Sequence, residues 1–135
     1  MFCRIVAGEV PATIVAESEA TVSFLDHRPL FLGHTLVVPR DHATTLRDLP
    51  LELIAPFFTE VQRIAVGVQD GLGAQGTLVV ENNVVSQSVP HLHVHVVPRT
   101  RKDGLRGFFW PRTAYADDAE IEATAARIRD ALLSG

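Results

Sequence analysis

The stretch SVPHLHVHVVPR, residues 88–99, places His91, His93 and His95 at alternate positions within an otherwise apolar run. No other feature of the chain restricts its folding as much. A period of two among β-branched neighbours is the pattern of a strand, whose side chains point alternately to opposite faces. The imidazoles therefore project from one face at intervals of roughly 6.5–7 Å, while Leu92, Val94 and Val96 project from the other. One face belongs to a core and the other to chemistry. A purely structural role would strip three imidazoles of their hydration together, which disfavours it. Metal binding is a rival, because histidine is the commonest metal ligand. Carboxylate or thiolate partners at close spacing are missing, however, and three imidazoles in line converge poorly on a tetrahedral ion. The other reading is nucleophilic or acid–base chemistry on an anion, since neutral imidazole can attack phosphorus and form a phosphoramidate that water later hydrolyses. His93 is then the favoured nucleophile, flanked on both sides by imidazoles that can orient it, fix its tautomer or donate to phosphate oxygens. Just upstream, Gln87 and Ser88 add an amide and a hydroxyl suited to gripping a bridging or leaving oxygen.

The elements around this strand follow from the same patterning. TIVAE, ATVSFLD and TLVVP read as strands, separated by a turn-rich HRPLFLGH connection. From Asp48 the period becomes helical, with Phe57, Val61, Ile64 and Val68 on one stripe, Pro56 as a kink or true start, and DGLGAQG as the break. TLVVE is a fourth strand, NNVVSQS its exit loop and HLHVHVVP the fifth strand. Asp117 is an expected N-cap for a last helix, whose narrow stripe is Ile121, Ala125, Ile128 and Leu132. Strands first, one helix, two strands and one helix predict an α+β fold on a mainly antiparallel sheet of about five strands.

With 135 residues, 47% of them apolar, and no linker-like tract, the chain fits one domain spanning 1–135. A net charge of -4 and dispersed Lys and Arg exclude the basic stripe that nucleic acid requires, so any bound polyanion is small. A single cysteine, Cys3, excludes an internal disulfide and agrees with a reducing compartment. The opening MFCRIVAGEVPATIV lacks the continuous apolar segment of a signal peptide or membrane span, so a cytoplasmic location without a membrane partner is expected.

QSVPHLHVHVVPR resembles the His-x-His-x-His-x-x signature of the histidine-triad (HIT) superfamily, and the likeness continues through FCRIVAGEVPATIVAE, VSFLDHRPLFLGHTLVVPRDH and the following helix, over residues 2–99. Residues 100–135 then form a C-terminal arm and helix. The resemblance implies nucleotidyl transfer on a purine nucleotide carrying an AMP or GMP moiety, without a cofactor, in a homodimer across which the sheet continues. The middle histidine attacks the α-phosphate, the leaving group departs, and water releases the monophosphate. Phosphoramidates, acyl-adenylates and dinucleoside polyphosphates are the implied substrates, and a nucleotide-binding sensor without turnover is the alternative. By the same resemblance His93 is the nucleophile, His95 contacts the phosphate, His91 supports the network, and His34 is a fourth histidine near the triad. Asp26 holds the ribose hydroxyls, Phe2, Ile5, Val10, Phe24 and His27 line the base pocket, and Asn82 or Asn83 lies near the phosphate.

Two departures stand out. Many bacterial relatives carry a Cys-x-x-Cys pair that helps hold a structural zinc, whereas Cys3 is alone, so no metal is expected and His42 loses its role as ligand. The tail DGLRGFFWPRTAY is the other. Arg101, Lys102, Arg106 and Arg112 are candidates for distal phosphates and Trp110 or Tyr115 for a second base, against an arm that packs on a partner subunit.

Overall fold

The computed structural model describes residues 1–105 and 112–134. Met1 to Asp103 form one compact unit, and the chain from Gly104 onward forms another. The first contains α1 (Phe2–Val6), β1 (Ile14–Glu17), β2 (Thr21–Leu25), β3 (Thr35–Pro39), a 3-10 turn (Leu46–Asp48), α2 (Leu51–Gly71), β4 (Gly76–Glu81) and β5 (Val94–Arg99); the second contains α3 (Asp118–Ser134). Five strands pair antiparallel in the order β1-β2-β3-β5-β4, giving the α+β sheet that the element order predicts.

Directly opposed residues in such a ladder share a face, so the register divides the sheet's two surfaces. Val37 pairs with Val94. These two, with Val96 and Leu92, pack against Phe57, Val61, Ile64 and Val68, the stripe expected on α2. Burying each such side chain contributes roughly 1.5–3 kcal/mol. On the other surface Leu36 pairs with Phe24 on one side and His95 on the other. There Phe24 and Leu36 form a second cluster with Val22, Val38 and Phe2 of α1.

Two boundaries differ from the sequence reading. α2 starts at Leu51 behind Pro50, so Pro56 lies inside the helix and does not start it. The fifth strand begins at Val94, not at His91. The cause is bonding outside the ladder: the Leu92 amide donates to the distant Ala43 carbonyl at 2.6 Å, and the His91 amide donates to the Val89 carbonyl at 2.8 Å. The His91 carbonyl is taken by the side chain of His93. The amides of His91 and Leu92 and the carbonyl of His91 thus bond outside the ladder, yet the alternation of faces is kept.

In the second unit the Asp117 carboxylate accepts the Glu120 amide at 2.8 Å, the cap expected for α3. The stripe of α3 is largely exposed, with Ile128 58% and Leu132 74% accessible.

Candidate active site

The loop from Asp26 to His34 delivers two site residues together. The Asp26 amide donates to the His34 carbonyl at 2.9 Å, and the His34 amide to the Phe31 carbonyl at 3.0 Å. Asp26 Oδ1 accepts the Arg28 amide at 2.9 Å, an Asx turn that aims the carboxylate. Gly33 makes the bend possible at φ 103°, beyond the ordinary reach of an L side chain. His34 comes out 4% exposed, with Nε2 lying 2.9 Å from Nδ1 of His95 and 3.7 Å from Oδ2 of Asp26.

Three of the imidazoles have a backbone neighbour whose role is not interchangeable, which settles where each proton sits. A carbonyl can only accept. His93 Nδ1 therefore donates to the His91 carbonyl at 2.7 Å and leaves Nε2 with its lone pair free. His91 Nε2 likewise donates to the Pro39 carbonyl at 3.1 Å, leaving Nδ1 bare. An amide N–H can only donate, so His34 Nδ1 accepts from Leu30 at 3.1 Å and its proton is on Nε2. His34 then donates to His95 Nδ1. Burial lowers the pKa of His34, with Asp26 pulling the other way. Burial, then the neighbouring His93 and His34, hold His95 at about 4, so it is neutral at pH 7. The rings themselves stack edge to face: His93 lies 4.9 Å from His95, and Phe2 of α1 lies 5.0 Å from His93.

Of the residues expected around a nucleotide, Phe2 and Phe24 are buried, Ile5 and Val10 half-buried, and His27 exposed. The Gln87 side chain bridges two segments: its Nε2 donates to the Thr44 carbonyl at 2.6 Å and its Oε1 accepts the Val84 amide of its own loop at 3.0 Å. In this conformation the Gln87 amide holds the loop before the triad in place. Ser88 is exposed. Asn83 accepts the Leu46 amide at 2.8 Å, so Asn82, half-buried, is the freer of the two asparagines. Sequence reasoning missed Glu81, at the end of β4 opposite Val94. Its Oε2 is buried without a hydrogen-bond partner, and burial raises its pKa against the opposing effects of Asn83 and His93. An acid closing the apolar TLVVE was its only signal. Phe2's contact with the triad and the Leu30 amide are legible only in three dimensions.

His42 is not isolated by the single cysteine. Cys3 Sγ lies 3.3 Å from His42 Nδ1 and 3.3 Å from His91 Nδ1, and the two nitrogens are 3.3 Å apart. Ligand atoms on tetrahedral zinc are separated by about 3.3–3.6 Å, from bond lengths of about 2.0–2.3 Å. The far nitrogens are occupied, by the Pro39 carbonyl for His91, which leaves its Nδ1 lone pair facing the sulfur, and by the Thr44 hydroxyl at 3.4 Å for His42. Cys3, His42 and His91 fit such an ion, which would tie α1 to the segment before His93.

In the tail, Arg101, Lys102, Arg112 and Tyr115 are exposed. Arg106 and Trp110 lie outside the described residues. Among the described residues no helix is long and apolar enough to cross a membrane.

The HIT domain profile matches residues 7–102, covering the sheet and the whole histidine strand. An adenosine 5'-monophosphoramidase of Schizosaccharomyces pombe is 31% identical over 130 residues, 95% of this chain and 94% of its own. The crystal structure of a HIT family member from Bacillus subtilis superposes with a TM-score of 0.88 at 32% identity, covering 96% of this chain and 94% of that one. A zinc-bound histidine-triad family protein from Mycobacterium smegmatis gives 0.73 at 36% identity, covering 96% and 95%. The motif, the sheet that carries it and the likeness along nearly the full length agree, and the chain belongs to the HIT family.

Proposed function

We propose that this chain is a nucleotide hydrolase or transferase that cleaves at the α-phosphate of a nucleoside phosphate derivative through a nucleotidyl-His93 intermediate. One observation carries the reading: the His93 Nδ1 proton is engaged by the His91 carbonyl at 2.7 Å, so the Nε2 lone pair is free to attack. Nε2 bonds to phosphorus and the bond from phosphorus to the leaving group breaks, the leaving atom taking up a proton from solvent. Water then attacks phosphorus and gives a proton back to solvent, the P–N bond breaks, and the nucleoside monophosphate is released with neutral His93 restored. His95 and Asn82 are the candidate donors to the phosphoryl oxygens, and Asp26 is the acceptor for the ribose diol. Among phosphoramidates, acyl-adenylates and dinucleoside polyphosphates, the phosphoramidate is preferred, in keeping with the name of the fission-yeast relative. The homodimer implied by the family has an available edge, since β4 ends the sheet with Val79 45% exposed.

Rapid quenching of the reaction with an adenosine phosphoramidate, followed by peptide mapping, tests the intermediate. The nucleotidyl group should be found on His93 alone, and His93→Ala should abolish turnover while changing AMP affinity by no more than about 1–2 kcal/mol, the scale of one hydrogen bond. An active His93→Ala protein sinks the mechanism.

A further inference from the structure

We propose that His34 is a positioning residue that sets His95 as its Nε2–H tautomer, so that the imidazole facing the phosphate arrives there as a hydrogen-bond donor. The inference deepens the function proposed above and rests on it for the direction in which His95 faces. Its starting point is a backbone group with no choice of role. The Leu30 amide can only donate, and it lies 3.1 Å from His34 Nδ1, so the lone pair of His34 is on that nitrogen and its proton on Nε2. His34 is 4% exposed, which disfavours a second, charging proton. Its Nε2 sits 2.9 Å from His95 Nδ1, and that nitrogen must accept. A neutral His95 then has its own proton on Nε2.

Asp26 bears on the same proton without capturing it. Its Oδ2 is 3.7 Å from His34 Nε2, beyond hydrogen-bond length, and its Oδ1 is held by the Arg28 amide. A metal shared by Asp26, His34 and His95 is the competing explanation of this cluster. The geometry points away from it: 2.9 Å between two nitrogens is a hydrogen-bond distance, shorter than the edge of about 3.3 Å between nitrogens on tetrahedral zinc. The turn at Leu30 therefore decides, two imidazoles away, which nitrogen of His95 carries the proton.

The test uses the full chain labelled with 15N, at a pH where the buried imidazoles are neutral. Two-bond correlations between ring carbon protons and ring nitrogens distinguish the protonated from the bare nitrogen. In the wild type His95 should show Nε2–H with a bare Nδ1. His34→Leu removes the donor and should shift His95 toward the other tautomer, whereas His34→Gln, whose side-chain amide can still donate to His95, should keep it. With an adenosine phosphoramidate, His34→Leu should lower kcat about tenfold, the weight of one hydrogen bond in a transition state, with KM within about twofold, and His34→Gln should recover most of the loss. An Nδ1–H tautomer at His95 in the wild type overturns the proposal even if the leucine variant does not fold. So does an unchanged tautomer in a folded His34→Leu, or a changed tautomer with unchanged kcat. Absence of turnover in the wild type would count against the proposed reaction, while the tautomer measurement would still decide the role of His34.

Discussion

A neutral imidazole has one proton for two nitrogens, and its chemistry depends on which nitrogen a neighbour claims. Here backbone groups make the claim for three site histidines: the Pro39 carbonyl for His91, the His91 carbonyl for His93 and the Leu30 amide for His34. The proposed nucleophile, His93, is thus oriented by main-chain geometry, which side-chain substitution elsewhere disturbs little. Asp26 is different, because one of its oxygens is spent on the Arg28 amide and the other stands open toward His34. A carboxylate has lone pairs left for a vicinal diol in that state. Ribonucleotides should therefore bind better than their 2'-deoxy analogues by roughly 1.5–3 kcal/mol, and Asp26→Ala should erase the difference. Calorimetric titration with AMP and dAMP checks it, and a preserved ratio in the variant returns Asp26 to a turn-forming role.

At the scale of elements, the site hangs on the connection between β2 and β3. Gly33 at φ 103° precedes His34, and a Cβ there would sit 2.2 Å from Leu72 Cδ1 at the end of α2. Leu72 is 55% exposed and can swing aside, but the backbone conformation remains unfavourable for any side chain. Gly33→Ala should cost roughly 1–3 kcal/mol of stability, measured by urea unfolding, and should lower kcat because His34 is the next residue. An alanine variant as stable and as active as the wild type would show that the bend does not need glycine. The loop before the triad is held in the opposite way, by a side chain: Gln87 bridges the Thr44 carbonyl and the Val84 amide, while Val84 takes a left-handed φ of 69°. A β-branched residue there is costly, so that loop is kept in shape by its bonds and not by preference.

For the molecule as a whole, buried neutral histidines make stability depend on pH. His95 falls from 6.5 in its ordinary state to about 4, and His34 is lowered as well, both chiefly by burial. Between these values the unfolded chain binds more protons than the folded one. The stability contributed by a neutral His95 is therefore complete above about pH 6.5, declines as the pH falls, and levels off below about 4. Allowing for its partial exposure, the loss is roughly 2–3 kcal/mol between pH 7 and pH 4. Urea unfolding across that range should show the slope, and His95→Asn should flatten part of it. A flat wild-type profile between pH 7 and pH 5 would mean that the imidazoles remain hydrated.

The period of two at residues 91–96 determined by itself which side chains meet α2 and which lie on the opposite surface, because alternation survives even where the ladder does not. The stripe on α2, the cap of α3 and the five strands were legible for the same reason: each is a local pattern of burial or hydrogen bonding. Boundaries at His91 and Pro56 were not, since a long-range bond to Ala43 removes Leu92 from the ladder and a helix buried along one stripe carries a proline in its second turn. The bridge from Gln87 to Thr44 was not legible either, since only the fold brings the Thr44 carbonyl within reach of that amide. His42 shows the reverse. A missing second cysteine argued against its role, yet Cys3, His42 and His91, up to 88 positions apart in the chain, converge to 3.3 Å. Residue types and spacing record what chemistry is available, whereas proton positions and ligand sets depend on distances between segments that only tertiary packing determines.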